Sequence, residues 1–197
     1  SFSTLPSNRD FGATASSEQL NVSTCRRTVV LSLVNVSHVL NHLQSGMLSV
    51  LYPVMMADLG FGYFAIGVLQ TIYQLSAMGF QVVYGLLARF FPRAILLGVG
   101  NTICGLFYMA TGLSQSVAQV GAMRGLSGLG SSVQHPVGAA ILVSYFEKAR
   151  GRVLTLHHSA GNLGAFLAPG VGGALLLLAD WRTVFYIVGI SVVVMGV

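Results

Sequence analysis

The sequence predicts an all-α, polytopic bundle of membrane-spanning helices, and three observations carry that expectation. Hydrophobic residues make up 54% of the 197 positions and charged residues 8%, whereas a soluble domain carries about a quarter charged residues. Apolar runs near the length that crosses a bilayer, about 20 residues, recur along the chain. Apart from Arg124, the basic residues from Arg26 onward fall at the ends of those runs, and every second connection is basic. A formal net charge of +5 would otherwise suggest nucleic acid. Because the basic residues do not share an amphipathic face, no nucleic-acid partner is expected, and the lipid bilayer is the expected environment.

Residues 1–24 are rich in Ser, Thr and Asn and lack the order of a secretory signal. They read as part of a mobile cytoplasmic tail over 1–27. The spans are expected near 28–51, 62–87, 94–113, 117–145, 153–179 and 183–197. The chain opens on Ser1 and ends on Val197 inside an apolar run, so a longer protein with an incomplete sixth span here is expected. Connections carry Asp58, then Arg89 and Arg93, then uncharged Ser114 to Ser116, then Lys148, Arg150 and Arg152, then Asp180 and Arg182. Positive residues are retained on the cytoplasmic side. Arg26, Arg27, Arg89, Arg93, Lys148, Arg150 and Arg152 fall on one side against Arg182 on the other, which puts the N-terminus in the cytoplasm.

Small residues mark where helices can touch. Gly121, Gly125, Gly128 and Gly130 lie in span 4, and Gly161, Gly164, Ala168 and Gly172 in span 5. The series 164, 168, 172 is a four-residue spacing that lets backbones approach in lipid. Pro169 is expected to bend span 5. Cys25 and Cys104 form no disulfide framework and no paired metal-ligand spacing. No cofactor and no metal site are expected.

Polar groups inside apolar spans are expensive and mark functional paths by default. Span 1 holds Ser37, His38, Asn41, His42 and Gln44, and span 2 holds Gln70, Tyr73 and Gln74. Span 4 holds Arg124, Gln134 and His135, and span 5 holds His157, His158 and Asn162. His38, Asn41 and His42 fall on one helical stripe by their spacing. Such residues also glue helices together by hydrogen bonds, but the ionisable ones favour a cavity. Arg124 has no acid at comparable depth, so carbonyls, a substrate anion or an acid beyond this chain are its candidate partners, against snorkelling to the surface. His157 reads as an interfacial snorkeller. His42 and His135 sit deeper, where an imidazole can carry a coupling proton.

Several segments resemble the major facilitator superfamily, and within it the branch containing the bacterial fosmidomycin-resistance exporters. They are Ser37-His38-Val39-Leu40-Asn41-His42, Tyr52-Pro53, Tyr73-Gln74-Leu75, Gly128 through Pro136, Gly161-Asn162-Leu163-Gly164 and Ala168-Pro169. The resemblance covers about residues 30–180. It implies the N-terminal six-helix half of a twelve-helix secondary transporter in a bacterial inner membrane, with a C-terminal half of the same chain as partner. The implied cargo is a small organic solute or drug, exported by proton antiport as in drug-resistance efflux, and spans 1 and 4 line the cavity as equivalent members of inverted repeats. The substrate and coupling residues expected are His38, Asn41, His42, Gln74, Arg124, Gln134, His135 and Asn162. Those expected to gate the conformational change are Gly85, Arg89, Arg93, Gly164, Pro169 and Gly172.

Two positions depart from the pattern. Arg89 stands where the loop between spans 2 and 3 normally has an acid, and Asn41-His42 replaces an Asn-Asp pair. A sensor or scaffold of transporter type is therefore a rival reading. Another is an intramembrane serine protease of rhomboid type, from Gly125-Leu126-Ser127-Gly128. That motif is short and needs a base near Ser127, so no enzyme is expected.

Overall fold

The computed structural model describes the backbone from residue 8 and side chains from residue 24. Residues 1–7, the start of the expected tail, lie outside the described residues. Helix α1 spans Asn8–Gly46, α2 Leu48–Leu59, α3 Tyr63–Leu87, α4 Arg93–Thr111 and α5 Val117–Ser131. A π turn, Gln134–Gly138, joins α5 to α6, Ala139–Tyr145. A 3-10 turn, Glu147–Ala149, precedes α7, Arg150–Leu176, and α8 spans Trp181–Val194. Because α1 begins at Asn8, residues 8–27, expected as a tail, continue the first helix.

Four of the apolar runs are single helices, and the first and fourth are each broken. In the first, α1 gives way to α2 at Met47, next to Gly46, where an added Cβ would stand 2.7 Å from the Ala168 Cβ. Pro53 does not end the run, because α2 continues through it to Leu59 at the cost of one helical hydrogen bond. It stops at Gly60, whose φ of 68° is readily open only to glycine and whose N–H returns to the Met56 carbonyl at 3.0 Å. In the fourth run Pro136 lacks a donor, and the wide turn around it re-aims the side chains that follow. By length and composition, α3 and α4 are the two helices among the described residues that suffice to cross a membrane. The first and fourth runs are shortened by these breaks, α7 carries His157 and His158, and α8 is 14 residues long.

Connections collect at two ends, as their charges require. At one end the Asp58 carboxylate accepts from Arg182 Nη2 and Trp181 Nε1, both at 3.1 Å. Arg182 Nη1 donates to the Gly112 and Ser114 carbonyls at 3.0 and 2.6 Å, so one guanidinium ties three connections together. At the other end Arg93 donates to the Ala140 carbonyl at 3.3 Å, and Arg26 lies 5.9 Å from the centre of the Tyr145 ring.

Helices meet through small residues. An added Cβ on Gly164 would collide with the Val39 carbonyl of α1, and one on Gly172 would stand 2.8 Å from Val50 Cγ2 of α2, which seats α7 against both helices of the first run. Gly130 meets the Gly100–Cys104 backbone of α4 in the same way, and Gly105 meets Gly189 of α8. The four-residue spacing in span 5 therefore forms a helix contact. Helix α7 runs unbroken through Pro169.

Two apolar clusters result. One joins Met47, Leu51, Met55, Leu69, Tyr108 and Phe185 near the Asp58–Arg182 end. The other joins Val34, Leu97, Val133, Val137, Leu142 and Val153 near the basic end. Between them lies a polar waist drawn from residues 37–44 of α1, 101–104 of α4 and 127–135 of the fourth run.

Candidate functional site

Two stripes of α1 build the waist. Ser37, Asn41 and Gln44, at spacings of four and three, face α4 and the fourth run. Gln134 Nε2 donates to Ser37 Oγ at 2.6 Å and Asn101 Oδ1 at 2.7 Å, while Asn101 Nδ2 donates to Ser37 Oγ at 2.8 Å. Asn41 Oδ1 accepts from Ser131 Oγ at 2.9 Å, and Ser131 pairs with the Tyr73 hydroxyl at 2.9 Å. Gln44 Nε2 reaches the Cys104 thiol at 3.4 Å. These groups are buried, so exchange with water is closed to them and protein partners replace most of it, the Gln44 and Gln134 Oε1 oxygens having none among the described residues.

The adjacent stripe faces α7. The ring of His38 lies 4.7 Å from His42, 5.2 Å from His135 and 4.0 Å from His157, centre to centre, the last pair stacked. His38 Nδ1 meets the His157 carbonyl oxygen at 2.9 Å, and His157 Nδ1 meets Asn35 Oδ1 at 3.1 Å. Gly161 makes the approach possible, since a Cβ there would stand 2.8 Å from His38 Cε1 and 3.0 Å from His42 Cδ2. His157 is fully buried, which overturns its reading as an interfacial snorkeller. The expected single stripe of His38, Asn41 and His42 is divided, with Asn41 turned to Ser131 and His38 to α7.

A cleft of about 240 Å³ opens beside the waist, its polar wall made by Asn41, His42, Gln70, Tyr73, Gln74 and His135. No acid lines it. Arg124 lies deeper and fully buried, its guanidinium 4.1 Å from the centre of the Tyr73 ring and 5.7 Å from that of Tyr108. Its three side-chain nitrogens have no hydrogen-bond partner among the described residues, as is also true of the Tyr52 and Tyr108 hydroxyls. Snorkelling is thereby excluded, and the two rings hold the cation by their π faces.

The structure thus gathers His38, Asn41, His42, Gln134 and His135, with Gln74 at the cleft and Arg124 linked to it through Tyr73. Asn162 is exposed on α7 and takes no part in the cleft wall. Gly164 and Gly172 are buried helix contacts, whereas Pro169, Gly85 and Arg89 are exposed. Nothing would meet a Cβ on Gly85 within 4 Å. Asn101, Ser131 and Cys104 escaped the sequence reading, as did the place of His157; a buried Asn in span 3 was the one legible signal. Ser127 donates to the Cys104 carbonyl at 3.2 Å and lies 3.6 Å from its thiol. No imidazole bonds it among the described residues, so the protease reading lacks its base.

Comparison with known proteins agrees with this architecture. The chain is 28% identical over 166 residues to the probable L-galactonate transporter of Escherichia coli (strain K12), covering 83% of this chain and 36% of that protein. It is 26% identical over 149 residues to the fosmidomycin resistance protein of the same organism, covering 75% and 36%. The chain therefore spans about a third of the length of these relatives. In fold it is similar to the crystal structure of a bacterial homolog of the human lysosomal transporter Spinster, in an inward-facing and unoccupied conformation. The TM-score is 0.74 at 17% identity, over 86% of this chain and 41% of that one. With the profile described as Major Facilitator Superfamily matching residues 34–197, a helical bundle with a polar waist and an open polar cleft has its explanation: the chain belongs to the Major Facilitator Superfamily, a family of integral membrane transporters.

Proposed function

We propose that this chain supplies part of the solute cavity of a secondary transporter that moves a small organic solute by alternating access. The observation that carries the reading is the cleft walled by Asn41, His42, Gln70, Tyr73, Gln74 and His135, polar groups held open between two apolar clusters. In a bilayer such groups are costly unless they serve a path. The wall offers imidazoles, amides and hydroxyls and no acid, which suits an anionic, hydroxyl-rich solute. The sugar acid named for one relative, L-galactonate, is the first solute to test. The basic end, with Arg26, Arg93 and Lys148, faces the cytoplasm.

Protons are the candidate coupling partner, carried by His42 and His135, whose ring centres lie 5.8 Å apart. The other titratable groups around this pair are His38, His157 and His158. Flux of labelled L-galactonate and related sugar acids into proteoliposomes of the full-length protein, with and without an imposed pH gradient, tests both parts. Asn41→Leu is expected to bring flux to the level of empty vesicles. His42→Ala and His135→Ala are expected to remove its response to the gradient. An unchanged response in both histidine variants would overturn the coupling assignment, and wild-type flux no higher than empty vesicles would favour a sensor or scaffold.

A further inference from the structure

His38, His42 and His135 come from α1 and the π turn, yet one ring nitrogen of each lies within 4.8 Å of those of the other two. The proton of His38 has a fixed place. A carbonyl oxygen only accepts, so the 2.9 Å contact with the His157 carbonyl puts the proton on Nδ1 and leaves a bare lone pair on Nε2. That Nε2 is buried without a hydrogen-bond partner among the described residues, in a side chain 1% exposed. An unmet acceptor at that depth is costly. A backbone carbonyl holding the far nitrogen is also how metal-bound imidazoles are oriented. His157 stacked at 4.0 Å supports the ring from behind, and Gly161 leaves the space in front of it.

We propose that His38, His42 and His135 form a binding site for a divalent transition-metal cation of the zinc, cobalt or nickel kind. Three neutral imidazoles suit these ions; hard cations such as magnesium or calcium want carboxylate oxygens, which the cleft lacks. The Cys104 thiol is engaged with Gln44 and Ser127 and offers no soft ligand. Tetrahedral zinc with bonds of about 2.0–2.1 Å sets nitrogens about 3.4 Å apart. Binding therefore draws the rings of His42 and His135, which are half-buried and line the cleft, inward by roughly an ångström. The fourth position faces the cleft, where a carboxylate or hydroxyl of a solute can coordinate. That last role rests on the cavity reading; the metal site itself does not, and because a ring nitrogen that binds the ion cannot also hold a proton, cation and coupling protons compete for His42 and His135.

The test uses untagged, metal-stripped full-length protein in detergent, titrated with Co2+ and followed by ligand-field absorption, with Zn2+ competition by calorimetry. One equivalent of four-coordinate cobalt is expected. His42→Ala and His135→Ala should each weaken binding by more than about 100-fold, beyond the loss typical of an outer-shell partner, while keeping the wild-type thermal melt. Cys25→Ser, at the exposed basic end, should bind as wild type. No saturable cobalt spectrum, or equal affinity in both histidine variants, would overturn the site. Solute flux in metal-free vesicles is read separately, so flux without metal binding sinks the metal site alone, and metal binding without flux sinks the transport reading alone.

Discussion

On one side of α1, Ser37, Asn41 and Gln44 close into hydrogen bonds with α4 and the fourth run; on the adjacent side, His38 and His42 meet His135 and α7 with the Nε2 of His38 left open. The two stripes are one residue apart in sequence and equally polar. The amide side exchanges most of its bonds to water for protein partners, with only the Gln44 and Gln134 Oε1 oxygens left over among its described groups, so its worth lies in holding α1, α4 and the fourth run in register. The imidazole side keeps lone pairs unspent beside an open cleft, and that is capacity for a ligand. The same helix therefore separates cohesion from chemistry by about 100° of rotation.

The largest way to break this comparison is to remove the contact that holds α7 against both histidines. Gly164→Leu would drive a side chain into the Val39 carbonyl, where the backbone cannot yield. A loss above about 3 kcal/mol is expected, read as failure to yield a cooperative thermal melt in detergent. Next, Asn101→Leu strands Ser37 and Gln134 and should cost about 1–3 kcal/mol while leaving cobalt binding intact. His42→Ala should do the reverse, with a stability cost of less than about 1 kcal/mol for a half-buried, unbonded ring and loss of gradient-driven flux. If Asn101→Leu abolished ligand binding as fully as His42→Ala, the division between the stripes would fail.

Smaller effects belong to the opposite end. Asp58→Asn weakens the ion pair to Arg182, whose partners are 49% and 25% exposed. About 0.2–1 kcal/mol is expected, as for other part-exposed pairs, measured by a double-mutant cycle with Arg182→Gln. Asp180 caps α8, and hydrogen bonds from Thr183, with the charge of Arg182, hold its carboxyl below the usual range. Its contribution is therefore complete above the ordinary carboxylate pKa and fades as pH falls through the lowered one. Amide exchange in the first turn of α8 should speed up with that acidification in wild type and be insensitive to it in Asp180→Asn.

Much of the fold was legible because hydropathy and charge act locally. The runs at 62–87 and 94–113 became Tyr63–Leu87 and Arg93–Thr111, and the basic connections collect at one end while those between them collect at the other. The breaks were less legible. Pro53 looks like a terminator yet sits inside α2, because a proline costs one hydrogen bond and neighbouring packing outweighs it. His135 could not be assigned a face from a 3.6-residue period, because the π turn around Pro136 shifts the register at that residue. His157, one turn from a run of charges, resembled an interfacial residue; Gly138 opens the space that buries it, and Gly161 admits the His38 ring on which it stacks.

By itself the sequence determined the helical class, the order of the apolar runs, the basic end, and which residues carry ionisable groups in a nonpolar setting. Those follow from the cost of polar atoms in hydrocarbon, which each segment meets on its own. Only the tertiary structure decided which polar groups satisfy one another and which stay open. That depends on glycine contacts between α1 and α7, on the α4–α5 approach at Gly130, and on the register shift at Pro136. A helical period fixes which side chains share a face, but the neighbour met by that face is set by packing between distant parts of the chain.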